Sequence, residues 1–264
     1  KPDQVAGYID HLWTCRNIYK QGLEREWLHN IAWYMGQQNY VWSERRGTLV
    51  EPSLPPWRSR VVINLILPTI RTILAKTFRA HPEWDVIPAT GDPDDIEIAQ
   101  LDKQVLDYEW QKLGMTLKHL SAYFWTFTCG NAFLKPQWDP DLGAEIEYPE
   151  DIDPKLREYV EELFIGDTSV DVVSPFEMLF PTRIKDVESS PWALHSRIVD
   201  LDVIRETFPD QGEKITSDKY ASNISISFDI QRRIAAFLND TGFSDSYNDS
   251  AVVHELWIPP RWNS

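Results

Sequence analysis

Apolar residues recur along the first third of the chain at spacings of three, four or their multiples: Tyr8, Leu12, Tyr19, Leu23, Trp27, Ile31 and Tyr34. That period marks one face of a helix, and Gly36, just past its end, supplies the residue type with which helices commonly stop. A second run, NLILPTIRTILAKTFRAHPEW over residues 64–84, places Pro68 where a first helical turn tolerates it and continues with Ile70, Ile73, Leu74, Thr77 and Phe78. Ala80-His81-Pro82 ends the run, because a residue before proline is pushed out of the helical region. Two amphipathic helices this close in sequence are expected to bury Trp27, Ile31 and Tyr34 with Ile70, Ile73 and Phe78 in one core. Phe78→Ala would then cost roughly 3–5 kcal/mol. The longest apolar stretch, Val61 to Leu67, is interrupted by Asn64 and is far short of the roughly 20 residues that span a bilayer.

The pattern changes further along. A loop rich in Pro, Arg and Trp fills residues 37–60, and Trp84, Val86 and Pro88 predict a short edge strand. GDPDD at residues 91–95 predicts the start of a helix that carries Ile98, Leu101, Val105 and Tyr108 on one face. Another helix is expected over about residues 116–128, closed by Gly130. Strands are expected at 132–137, 145–148, 170–173 and 194–199, with short helices near 154–164, 201–208 and 230–238. Residues 252–258 alternate like a strand, but no further strand comes after them to pair with. The class read from this order is α+β, mainly helical over residues 1–130 and mixed helix and short strand over 131–264, without βαβ alternation or internal repeat.

Composition adds a core and a charge. Forty-two per cent hydrophobic residues, with twelve Trp, eleven Phe and ten Tyr in 264 residues, suffice for a packed interior. Cys15 and Cys129 are too few for a disulfide framework or a four-cysteine zinc site, and no secretory leader pattern opens the chain, which fits synthesis in a reducing compartment. A start at Lys1 and a strand-like run so near the end are what an excerpt of a longer protein would show. The formal charge of −15 disfavours a protein that wraps nucleic acid by neutralising phosphates. The charge is segregated: seven basic residues and one acid lie between Arg45 and Arg79, against eleven acids and two bases between Asp139 and Asp167. A solvated face is the default reading of such runs. The sharper one is a head-to-tail contact between copies, with Arg58, Arg60, Arg71, Lys76 and Arg79 facing Asp139, Asp141, Glu161 and Glu162 of a neighbour.

Catalytic motifs are scarce. There is no phosphate-binding G-x-x-x-x-G-K-[ST] loop and no G-x-G-x-x-G turn, and His254-Glu255 lacks the second histidine of a zinc-protease helix. Close carboxylates at Asp139/Asp141, Asp151/Asp153 and Asp200/Asp202 could hold a divalent ion for phosphodiester hydrolysis. The first two pairs sit in proline turns, and Asp200 is placed to cap a helix. Residues 239–250, NDTGFSDSYNDS, have the composition of a calcium loop without its register and are expected to form a flexible loop. The cysteines are expected to act as small buried hydrophobes, neither with a local histidine partner. No catalytic, cofactor or metal residue is assigned.

Several short phrases occur in an order that resembles the tailed-bacteriophage portal proteins, particularly the large podovirus-like portals. WYMGQQ (Trp33 to Gln38) looks like the aromatic-x-Gly-Gln end of an early helix. VINLILPTIRTI resembles the Asn-x-x-x-Pro-x-[Ile/Val] helix, with HPEWDVIP and an acidic helix containing Ala99 after it. CGNAFLKPQWD resembles a segment in which Gly precedes a strand, VDVVSPFEMLFP a strand running into a Ser-Pro-Phe turn, and PWALHSRIVDLDVIRETFP the Trp, His and short-helix phrase next in order. The resemblance spans roughly residues 30–258 and corresponds to the N-terminal wing; the stem, DNA-contacting clip and crown have no counterpart here. It implies a non-enzymatic structural subunit of a dodecameric ring at one capsid vertex of the virion, made in the host cytoplasm. It also implies contacts with its own copies, the major capsid protein, terminase and tail or adaptor proteins, with double-stranded DNA passing through the channel without sequence-specific binding, and no membrane or cofactor. An acidic channel wall suits sliding DNA. A metal-dependent nuclease built on the close carboxylates, and a non-enzymatic adaptor or scaffold domain, stay open as alternatives.

Overall fold

The computed structural model describes residues 2–45, 48–53, 55, 57–59, 61–79, 84–140, 142–144, 165–181, 186–212, 214–217 and 249–259. The strand expected at 145–148, the helices expected at 154–164 and 230–238, and the loop at 239–248 lie outside them. The fold is α+β, with helices α1 (Pro2–Thr14), α2 (Arg16–Tyr34), α3 (Ile66–Arg79), α4 (Pro93–Lys112) and α5 (Met115–Cys129) preceding most of the strand pairs. Among the described residues, no helix is long and apolar enough to cross a membrane.

The N-terminal stripe becomes two helices rather than one, interrupted at Cys15. Leu12, Trp27, Ile31 and Tyr34 are buried, whereas Tyr8 and Leu23 are exposed, so each helix buries only part of the stripe. Helix α2 closes as expected: Gly36 adopts φ 82°, its N–H donates to Trp33 O at 3.1 Å, and Gln37 N–H donates to Ala32 O at 2.7 Å. This is the double closure that a left-handed residue permits. Asn64, the residue that interrupts the apolar run, has a role of its own. Its Oδ1 accepts from the N–H groups of Ile66 (3.2 Å) and Leu67 (3.1 Å), and its Nδ2 donates to Tyr34 O at 2.9 Å. One amide thereby covers the start of α3 and fastens it to the end of α2.

The residues expected to share a core differ in burial on α3, where Ile70 is half-buried. Leu74 is buried on α3, but Ile73 and Phe78 are 39% and 42% exposed. The chain divides into two compact units, residues 1–69 with 174–264 and residues 70–173, and the division falls within α3. Trp27, Ile31 and Tyr34 belong to the first unit, while Ile73 and Phe78 belong to the second. Phe78→Ala is therefore a surface truncation, on the scale of about 0.5 kcal/mol rather than that of a core aromatic.

In the first unit, β5 (Met178–Leu179), β6 (Ala193–Asp200) and β7 (Ser250–Trp257) form an antiparallel sheet in the order β5-β6-β7. The run near the end of the chain thus finds its partner upstream, in β6, with Leu194 opposite Leu256 and Asp200 opposite Ser250. Leu12 of α1 packs with Leu179, Trp192 and Leu194, bordered by Ile9, Trp13 and Leu256. A second cluster joins Leu201 and Ile204 of α6 (Leu201–Thr207) to Ala251, with Val199 and Val253 against it. A short turn of helix, α7 (Pro209–Gly212), comes next. A hairpin, β1 (Val41–Ser43) with β2 (Thr48–Val50), occupies part of the segment read as loop.

In the second unit, α5 buries Ala122, Phe124, Trp125, Thr128 and Cys129 and ends at Gly130, φ 89°. It leads into the antiparallel pair of β3 (Phe133–Asp139) and β4 (Asp167–Val173), in register from Phe133 opposite Val173 to Asp139 opposite Asp167. The change from helix to strand at Gly130 thus lies inside this unit and does not divide the chain. Residues 84–88 form no strand. Instead, Trp84 sets its ring edge-on to Trp110 at 5.8 Å, and Trp110 donates Nε1–H to Thr116 Oγ1 at 3.2 Å. Side-chain stacking, not strand pairing, fixes that segment.

Candidate functional site

Of the basic residues proposed for a subunit contact, Arg58, Arg71, Lys76 and Arg79 are exposed. The last three lie on α3, which has no acidic residue. Arg60, Asp141, Glu161 and Glu162 lie outside the described residues. Asp139 is half-buried at the end of β3, opposite Asp167. Three of the five basic residues thus lie on one helix, Arg58 lies off it, and most of the acidic half falls where nothing is described.

Asp167 is already engaged. Lys112 at the end of α4 reaches its carboxylate at 2.5 Å and that of Glu109 at 3.2 Å. The hydrogen bond from Lys112, helped by the backbone N–H of Thr168, holds the Asp167 carboxyl below the usual range; the bond to Asp167 raises Lys112. A lowered carboxyl contributes stability above the ordinary aspartate value, near pH 4, and loses it as pH falls through the folded value. A raised amine contributes below its ordinary value, near pH 10, and loses it as pH rises. The stability difference between wild type and Asp167→Asn should thus be constant between about pH 5 and 9 and shrink on acidification below about pH 4, as thermal melts at a series of pH values would show. The pair lies at the surface, so added salt should shrink it too.

The carboxylate pair that the structure describes fully does not converge. Asp200 occupies the position before α6 but makes no side-chain cap; its carboxylate accepts from Ser250 Oγ at 3.0 Å. Asp202 pairs with Arg205 at 3.1 Å. Among the described residues, no group of three or more His, Cys, Asp or Glu is arranged to hold a metal ion. Cys129 is buried, and burial pushes its thiol up to about 11, far from a reactive thiolate at neutral pH. Cys15 departs from expectation. It is only half-buried, and it has a histidine one turn earlier, with His11 Nε2 3.8 Å from its Sγ.

One polar cluster was not legible in the sequence. His195 of β6 is buried between two carboxylates, with Nδ1 3.1 Å from Glu255 Oε2 and Nε2 3.3 Å from Glu177 Oε2. Strand register makes the first contact, since His195 lies directly opposite Glu255 on β7. The second is made by the turn before β5, where Ser174 Oγ donates to Glu177 Oε1 at 3.0 Å. From the other side, Lys20 of α2 donates from Nζ to Phe176 O and Met178 O, each at 2.7 Å, and Phe176 meets Trp27 edge-on at 5.3 Å. On the neighbouring positions, Ser196 Oγ lies 2.8 Å from His254 Nδ1, and the His254 ring leans on Trp13 at 4.7 Å. Ser196 is buried at 2% exposure, and His254 is half-buried. The Ser-Pro-Phe turn is thus clamped to α2, β6 and β7 by charge-bearing groups. Only the pairing of β6 with β7, some 60 residues apart, brings His195 and Glu255 together; nothing local in the sequence announces it.

No protein-family model matches the chain, and no curated protein matches it.

Proposed function

We propose that this chain is wing-type structure of a ring-forming portal subunit of a tailed bacteriophage, acting without catalysis of its own at the capsid vertex through which DNA is packaged and ejected. The reading rests on one observation: six short phrases occur in an order that resembles the family's over residues 30–258. Local structure supports it. WYMGQQ ends a helix at Gly36, CGNAFLKPQWD passes from Gly130 into β3, and VDVVSPFEMLFP runs from β4 into the turn at Ser174 to Glu177. In the last phrase, Trp192 enters the core, His195 enters the clamp, and α6 comes after them. On this reading, the partners are further copies of the chain, the major capsid protein, terminase, and tail or adaptor proteins, and DNA slides through without specific contacts.

The cations of residues 58–79 give a test. In a ring, each subunit uses one surface toward one neighbour and a different surface toward the other, and charges at such contacts mainly set orientation and on-rate. Changing Arg58, Arg60 and Arg71 together to Glu should lower the yield of rings counted by electron microscopy at low salt. Raising ionic strength should narrow the gap to wild type, because exposed charges are screened over about 10 Å at 0.1 M. An unchanged ring yield at low salt would place these arginines away from the subunit contact.

A further inference from the structure

Six positions along α4 recur at alternating steps of four and three: Asp94, Ile98, Leu101, Val105, Tyr108 and Lys112. That is the heptad spacing of a seam along which one helix packs on another. The four apolar members are between 50% and 63% exposed. The residues that α4 buries, Ala99 and Trp110, point about 100° or more away from the seam. The seam is therefore a second apolar face, and a contiguous exposed face of this kind marks an interaction surface.

Shape and charge together select the occupant. Ile98 and Val105 hold one heptad position and Leu101 the other; β-branched residues alternating with leucine favour two helices over larger bundles, so a single partner helix fits. The positions beside the seam are Asp95, Asp102 and Glu109 on one flank and Glu97, Gln104 and Gln111 on the other, four acids and two amides without a cation. Lys112, at the end of the line, is engaged by Glu109 and Asp167 and lies 5.7 Å from the centroid of the Tyr108 ring. Lys103 stands on the opposite side of the helix. A second α4 makes a poor occupant: in parallel pairing Asp102 meets Glu97 of the copy, and in antiparallel pairing it meets Asp102 of the copy. Like charges so placed oppose association.

We propose that α4 presents one half of a two-helix coiled coil and receives a cationic amphipathic helix of a partner protein, its apolar seam on Ile98, Leu101 and Val105 and its Lys or Arg residues facing Glu97 and Asp102. The seam supplies the affinity and the flanking acids choose the partner. Docking at α4 goes beyond the ring reading and does not require it.

The probe is a fluorescent synthetic peptide of about four heptads, with Ile and Leu along its seam and Lys at both flanking positions, titrated with the full chain and followed by anisotropy. Two further peptides serve for comparison: one with the same seam and Glu at the flanks, and one with the residues of the Lys-flanked peptide shuffled so that the seam is lost. The Lys-flanked peptide should bind at least about tenfold more tightly than either. Leu101→Glu should abolish that preference. Asp102→Lys, which leaves the apolar seam intact, should weaken the Lys-flanked peptide and strengthen the Glu-flanked one. Both positions are exposed, so helicity and melting temperature should stay at wild-type values. No preference among the three peptides would overturn the proposal. So would binding of the Lys-flanked peptide that Leu101→Glu leaves unchanged, since the attraction would then be that of an acidic chain for any cation. Self-association of wild type in sedimentation velocity that Leu101→Glu abolishes would assign the face to a second copy and overturn it likewise.

Discussion

Leu194→Ala is expected to destabilise the first unit by about 2–5 kcal/mol, the range for large-to-small substitutions that leave a cavity. Leu194 has no measurable exposure and sits among Leu12, Leu179 and Trp192, with Leu256 directly across on β7. The groups around it come from α1, β5, β7 and the turn before β6, so the hole cannot be filled by one side chain moving. Denaturant titration should show the loss as a lower midpoint. The comparison substitution is Phe78→Ala, whose midpoint should stay close to wild type because Phe78 is at the surface. Equal losses for the two would mean that the core lies elsewhere.

Lys20→Met is expected to be the second large effect. The buried ammonium of Lys20 serves the carbonyls of both Phe176 and Met178 and lies 5.6 Å from the Trp27 ring centroid. Methionine keeps most of the volume but cannot donate, so the carbonyls of Phe176 in the turn and Met178 at the start of β5 lose this donor. Each buried polar group left unsatisfied costs about 1–3 kcal/mol. The loss should be accompanied by faster amide hydrogen exchange around residues 174–179, because the turn is released from α2 before the sheet opens. Stability equal to wild type would show that the turn is held without Lys20, by Phe176 on Trp27 and by Glu177 on His195.

How far the sequence carried this picture depended on the range of the forces involved. Helix ends were legible because their causes are local: Gly36 and Gly130 close α2 and α5, and Pro93 opens α4. The strands β3, β4 and β6 were found by alternation and flanking turns. Which face of a helix is covered was not legible. The stripes at Ile73 and Phe78 and at Ile98 to Tyr108 have the period of core faces, yet both are exposed, since periodicity reports that a face is apolar and not what it meets. Trp84 read as strand because alternation over three positions ignores a stacking partner 26 residues away in Trp110. The same limit hid the candidate site. Charge segregation was visible in composition, but composition does not report which charged residues share a surface, and three of the five cations, Arg71, Lys76 and Arg79, lie on α3. The His195 clamp was invisible for a related reason, because strand register at long range creates it.

The central claim, that copies of this chain close into a ring, is tested most directly by electron microscopy of the purified protein at low salt with two-dimensional classification. The account predicts closed rings with a central channel and twelvefold rotational order in the averages. Single subunits, or symmetric pairs with no channel at any concentration, would contradict it.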